Sequence, residues 1–207
     1  MSARLLQAGL AAALLAALAA CTQDAKPPAP PAPSSSSSDP ATTAPTTTLT
    51  QVPKRDAKLQ VSIEQLRGGI KRKQWPPLER VVSRPIARWI AGAYAGSYPR
   101  TSYADAFTGW TGGARRLAKH DQETTTNAAV GKKLVELVVD KRVVKLYIFA
   151  SRGRTGGATA QVNIAVTGEN QGGSMHSYAV TGRLYLLRDA SRWRIFGYDL
   201  VRREVKS

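Results

Sequence analysis

Two sets of residues in this chain are of types that could bind or react. The first alternates cations and phenols through the C-terminal third: Lys145, Tyr147, Arg183, Tyr185, Arg194 and Tyr198. Ammonium and guanidinium groups beside flat amphipathic rings suit a carbohydrate, an acidic polymer or a second subunit. The same pattern also serves an exposed antiparallel face that carries Arg, Thr and Tyr only for solubility and β propensity. The second set centres on Asp199, which alternation places on one face with Trp193 and Ile195. A carboxyl among apolar neighbours has a raised pKa and can move protons. The histidines offer it little help, since His120 stands beside Asp121 in a polar stretch and His176 in a turn-rich one. There is no Gly-x-Ser-x-Gly, and a single Cys with two scattered His has no metal-ligand spacing. No catalytic residue, cofactor or metal is therefore assigned. An enzyme using Asp199 as a pocket acid stands as the alternative to a binding role.

The remaining reactive group is the thiol of Cys21, the only cysteine in the chain. Met1 to Arg4 carries one positive charge, Leu5 to Ala20 is apolar apart from Gln7, and small residues precede the cysteine, which is the order of a secretory signal. The uninterrupted apolar run, Ala8 to Ala20, is mostly Ala and shorter than the roughly 20 residues of a membrane span. One cysteine in an exported chain cannot close an internal disulfide, so an anchor explains it better than a structural role. Leu18-Ala19-Ala20-Cys21 resembles the lipobox of bacterial lipoproteins. That resemblance implies lipidation of the Cys21 sulfur, cleavage before it, and attachment of the mature chain to the outer face of a cell membrane.

Residues 21–53 read as a tether. Eight prolines, the serine run Ser34–Ser38 and a Thr-rich stretch leave almost no apolar surface to offset ordering entropy. At about 3.1 Å per extended residue, such a segment reaches at most roughly 90 Å. Residues 54–207 are then the folding part, enough for one core. Here 28 Lys and Arg stand against 12 Asp and Glu, so this segment carries the whole net charge of +16. Such a charge favours anionic partners: acidic cell-wall polymers, phospholipid headgroups or nucleic acid. Export removes nucleic acid from that set. Lys71-Arg72-Lys73 is a headgroup contact or a solvated charge run, and Arg152-Gly-Arg-Thr-Gly-Gly157 is a hairpin loop despite its likeness to an RGG segment.

The elements that must position these residues follow from periodicity. Val143 to Arg202 holds four period-two runs separated by turn residues, an antiparallel meander. Its clearest strand has Ala160, Val162, Ile164 and Val166 on the buried side. Leu134 to Val139 forms a further apolar run, set off by a turn or bend at Asp140-Lys-Arg142. Gly182 and Gly197 mark bulges or bends. Upstream, Leu59, Val61 and Ile63 alternate as a strand, and Arg67 to Arg80 reads as a basic loop broken by Pro76-Pro77. Ile86, Trp89, Ile90, Ala93 and Tyr94 make one apolar helical face from Arg84, with Ser83 as N-cap. A short helix follows from Ser102, where Asp105 completes a capping box, and another over Thr111 to His120. Trp89, Tyr94 and Phe107 are core residues.

Helices followed by a curved meander ending in Trp193-Arg-Ile-Phe-Gly-Tyr-Asp199 resemble the NTF2-like (cystatin-like) superfamily. With Arg88-Trp-Ile-Ala-Gly-Ala-Tyr94, Tyr103-Ala-Asp-Ala-Phe-Thr-Gly109 and Gly182-Arg-Leu184, the chain is similar to exported actinobacterial proteins of the Mce-associated type. The resemblance implies an α+β fold with helices packed into a cone-shaped sheet. It also implies homodimer or envelope-protein contacts through the open sheet face, and in some members an acid/base pair within the cone.

Overall fold

The computed structural model describes residues 55–205, so the leader, Cys21 and the tether lie outside the described residues. Alternating side chains build the sheet. β1 spans Gln60–Arg67, β2 Leu134–Ser151, β3 Arg154–Asn170, β4 Met175–Asp189 and β5 Arg192–Glu204, hydrogen-bonded in that order. β2 to β5 form an antiparallel meander, while β1 joins its edge parallel to β2. With the helices below, the fold is α+β around a five-stranded mixed sheet.

Along β3, Ala158, Ala160, Val162, Ile164 and Val166 are all buried, whereas the residues between them reach the other face. This is the period expected of a sheet with one covered side. β2 departs from expectation. In place of a turn at Asp140-Lys-Arg142, one strand runs through, and the register slips between Val139 and Lys141. A bulge absorbs Asp140 as one extra residue, bending the strand without ending it. Asp140 accepts a hydrogen bond from Thr167 Oγ1 at 2.6 Å across that bend. Arg152 and Gly153, with φ of 49° and 74°, make the tight β2–β3 hairpin. His176 lies within β4, opposite Gly168, not in a turn.

α1 covers Trp75–Tyr94 and so begins well before Arg84. Pro76 and Pro77 occupy its first turn, where the missing N–H is no loss, so they start the helix and do not break it. Pro85 lies within it, and Ser83 is an interior, nearly buried residue, not a cap. From Ser102 a 3₁₀ turn, Ala104–Phe107, replaces the expected helix and carries no side-chain cap. α2 is Gly112–His120, continued by the single turn α3, Gln122–Thr125.

These helical pieces cover one sheet face. Trp89, Trp110, Tyr94, Tyr178 and Phe107 are the largest fully buried side chains. Trp110 meets Trp89 and Phe107 edge-on at centroid distances of 6.4 and 5.6 Å, the arrangement ring quadrupoles prefer. Trp89 Nε1 donates to Thr125 O at 2.8 Å, fixing α1 to α3. The free edge of β5 is partly closed: Ile195 N donates to Gly109 O and Thr111 N to Ile195 O, at 3.0 and 2.9 Å.

Candidate functional site: the open sheet face

The sheet face turned away from the helices carries residues in rows set by strand register. Ser62, Lys145, Gln161, Arg183 and Asp199 are successive cross-strand partners, and Gln65, Tyr147, Thr159, Tyr185 and Gly197 form the next row. Lys145, Gln161, Arg183 and Asp199 of the first row border a groove of about 710 Å³, together with Lys141 and Val143. A second hollow of about 290 Å³ lies between Tyr147, Phe149, Arg183 and Tyr185. Four of the six face residues expected from the sequence, Lys145, Tyr147, Arg183 and Tyr185, thus meet in one contiguous strip. Lys145 Nζ stands 3.8 Å from Glu64 Oε1, with both side chains solvent-accessible, a pair weakened by water. Tyr147 Oη donates to Gln161 Oε1 at 3.3 Å, and the Tyr185 ring lies 6.3 Å from that of Phe196.

Two residues take positions opposite to expectation, with one cause. Tyr185 pairs with Gly197 but Leu186 with Ile195, so Phe196 is an extra residue in β5. Beyond this bulge the side-chain parity reverses. Tyr198 and Leu200 turn to the helices and pack on the core, while Asp199 turns outward beside Arg183. Asp199 is therefore not an acid inside the cone, and Tyr198 is not part of the open face. Tyr198 Oη instead donates to Asp121 Oδ2 at 2.6 Å, and its ring meets Trp110 at 5.5 Å. Burial, then the bond to Asp121, push its phenol above the ordinary range, while hydrogen bonds from Tyr198 and His120 hold Asp121 below the usual carboxylate range. Arg194 stands apart at the sheet edge, in a cleft with α1.

Gly182, where a bend was expected, has φ +141°, and a Cβ there would come within 2.0 Å of Asp199 O. Only glycine lets β4 and β5 approach at the floor of the groove.

The helix-side interior holds a polar seam, not an acid. Tyr178 Oη donates to Asn127 Oδ1, Asn127 Nδ2 to Tyr98 Oη at 3.2 Å, and Tyr98 Oη to Tyr94 O at 3.0 Å. Arg202 lies over the Tyr178 ring at 3.6 Å. Burial raises the Tyr94 and Tyr178 phenols and pushes Tyr103 up to about 12. All three remain protonated at neutral pH and serve as hydrogen-bonding or packing groups.

Sequence reasoning missed Phe149 and Phe196, both 48% exposed on or beside this strip. Phe149 continues the two-residue period of Lys145 and Tyr147, and Phe196 follows Arg194 by the same alternation opposite the inward Trp193 and Ile195, so both were legible. Among the described residues no group of three or more His, Cys, Asp or Glu could hold a metal ion, and no helix is long and apolar enough to cross a membrane. Comparison with protein-family models, characterised proteins and solved structures returned no match.

Proposed function

We propose that this chain is a lipid-anchored, extracytoplasmic binding module of NTF2-like type with a non-catalytic role at the cell envelope, and that its open sheet face contacts an acidic polysaccharide of the cell wall. Support for the architecture comes from helices packed on one face of an antiparallel meander, with the parallel β1 as a departure from the usual plan. Support for a binding role comes from an interior occupied by Trp89, Trp110, Phe107 and Leu184. Support for the anchor comes from Cys21 and its preceding residues.

The observation that carries the reading is the strip itself. Lys141, Lys145 and Arg183 outnumber Asp199 around the groove, and Tyr147, Tyr185 and Phe149 adjoin it. Cations meet the carboxylates or phosphates of such a polymer, and rings stack on the apolar faces of its sugars. The test is retention of the full chain on an immobilised acidic polysaccharide, compared with a neutral one. Lys145→Gln with Arg183→Gln is expected to reduce retention at least about tenfold, since each lost charged contact is worth about 1.5–3 kcal/mol. Unchanged retention removes the polymer reading. A monomer produced by Tyr147→Ala from a dimeric parent assigns the face to a second copy instead.

A further inference from the structure

A second basic site lies across the sheet edge from the strip. Arg84 and Arg88, one turn apart and both exposed on α1, face Arg192 and Arg194 of β5 over a cleft of about 380 Å³. Thr108, Gly109 and Ser191 complete its rim, and Val81, Pro85 and Trp193 supply an apolar wall. Like charges at i, i+4 repel within a helix, and here two more guanidiniums are added across the cleft. Compensation is slight. Asp189 stands 3.1 Å from Arg194 Nε, while Arg84, Arg88 and Arg192 form no ion pair among the described residues. Arg194 Nε–H is itself buried with no acceptor in hydrogen-bonding geometry.

The walls are fixed before any ligand arrives. Gly109 is pressed against Pro85, where an added Cβ would lie 2.9 Å from the proline Cβ, and Ile195 is hydrogen-bonded on both sides to Gly109 and Thr111. α1 and the end of the β4–β5 hairpin are thus held at a set separation by the segment between them. A rigid cleft loses little entropy on binding.

We propose that this cleft is a phosphate-binding site, taking the phosphate of an anionic lipid headgroup or a free phosphate. One carboxylate is satisfied by a single guanidinium fork. Several converging forks suit an anion with three or more oxygens and up to two charges, the chemistry of phosphate. The apolar wall of Val81, Pro85 and Trp193 accommodates the carbon part of an ester. The inference is independent of the polysaccharide reading, because it uses none of the residues in that strip.

The probe is the full chain carrying Cys21→Ser, so that no lipid of its own supplies membrane affinity. Inorganic phosphate is titrated calorimetrically, and association with phosphatidylglycerol vesicles is compared with phosphatidylcholine vesicles by sedimentation. Arg84→Gln with Arg88→Gln, both exposed and so compatible with folding, is expected to weaken phosphate binding at least about tenfold. Lys132→Gln with Lys133→Gln, both exposed and outside the clefts described above, removes equal charge elsewhere and is expected to leave it unchanged. Binding to both phosphate and phosphatidylglycerol vesicles, lost in the arginine variant alone, assigns a headgroup; binding to phosphate alone assigns the free anion. Absence of phosphate binding, or equal losses in the two double variants, overturns the site and leaves only the general attraction of a basic protein.

Discussion

The phenol of Tyr198 and the carboxylate of Asp121 are joined at 2.6 Å, tying β5 to the junction of α2 and α3. Asp121 is also bonded to His120 Nδ1 at 2.9 Å. The bond to Tyr198 exists because Phe196 is an extra residue: without that bulge, Tyr198 would face solvent.

Tyr198→Phe removes the donor that lowers the Asp121 pKa most. A carboxylate whose folded pKa is depressed stabilises the fold above its unfolded value, about 4, and loses that contribution as pH falls through the folded value. The variant should melt below the parent at pH 5–7, and the gap should close on acidification below about pH 4. Thermal melts across this range check it; a gap independent of pH would mean that Tyr198 acts through packing alone.

The parity reversal in β5 can be read by substitution. Asp199→Ala is expected to change stability by no more than about 0.5 kcal/mol, as for an exposed site. Leu200→Asp puts a charge against the core and should cost about 3 kcal/mol, roughly a 10 °C drop in melting temperature. The opposite ranking restores unbroken alternation and returns Asp199 to the interior.

Gly182→Ala places a methyl against the backbone of Asp199 at a left-handed φ. Destabilisation of about 2–3 kcal/mol is expected, measured by denaturant midpoint, because the obstacle is main chain and cannot rotate away. Gly153→Ala, also at positive φ but with open space around it, should cost less.

Cys21→Ser is expected to move the protein from the membrane pellet to the soluble fraction of the producing cells. Retention in the pellet at the parental level would refute the anchor.

Strands were the most legible part of this fold, because each has one covered side and alternation reports that directly. The alternation in β5 misled at one point. Its apolar residues fall on odd numbers through Trp193 and Ile195 and on even numbers at Tyr198 and Leu200, and strict counting carried the odd phase on to Asp199. The change of phase beside Gly197 was the available sign of a bulge. The early start of α1 was obscured by Pro76-Pro77, which ends a helix in its interior yet is harmless in its first turn. The parallel pairing of β1 left no local trace, since a strand's alternation does not encode its neighbour's direction. The arginine cleft was hidden for a related reason: Arg84 and Arg88 are far in sequence from Arg192 and Arg194, and the packing of α1 on β5, with the Gly109–Ile195 hydrogen bond, brings them together.

β1 bears on how the chain answers mechanical load. The segment entering it is clasped to β2, with Ala57 N donating to Val139 O at 2.7 Å and Asp56 bonded to both Val139 N and Arg142. A pull drawn through Arg55 along the axis of β1 therefore meets the β1–β2 hydrogen bonds side-on, so that they must yield together in shear and not one after another as in peeling. Load entering the domain at Arg55 would thus be resisted at that end, which is where the proposed anchor would apply it.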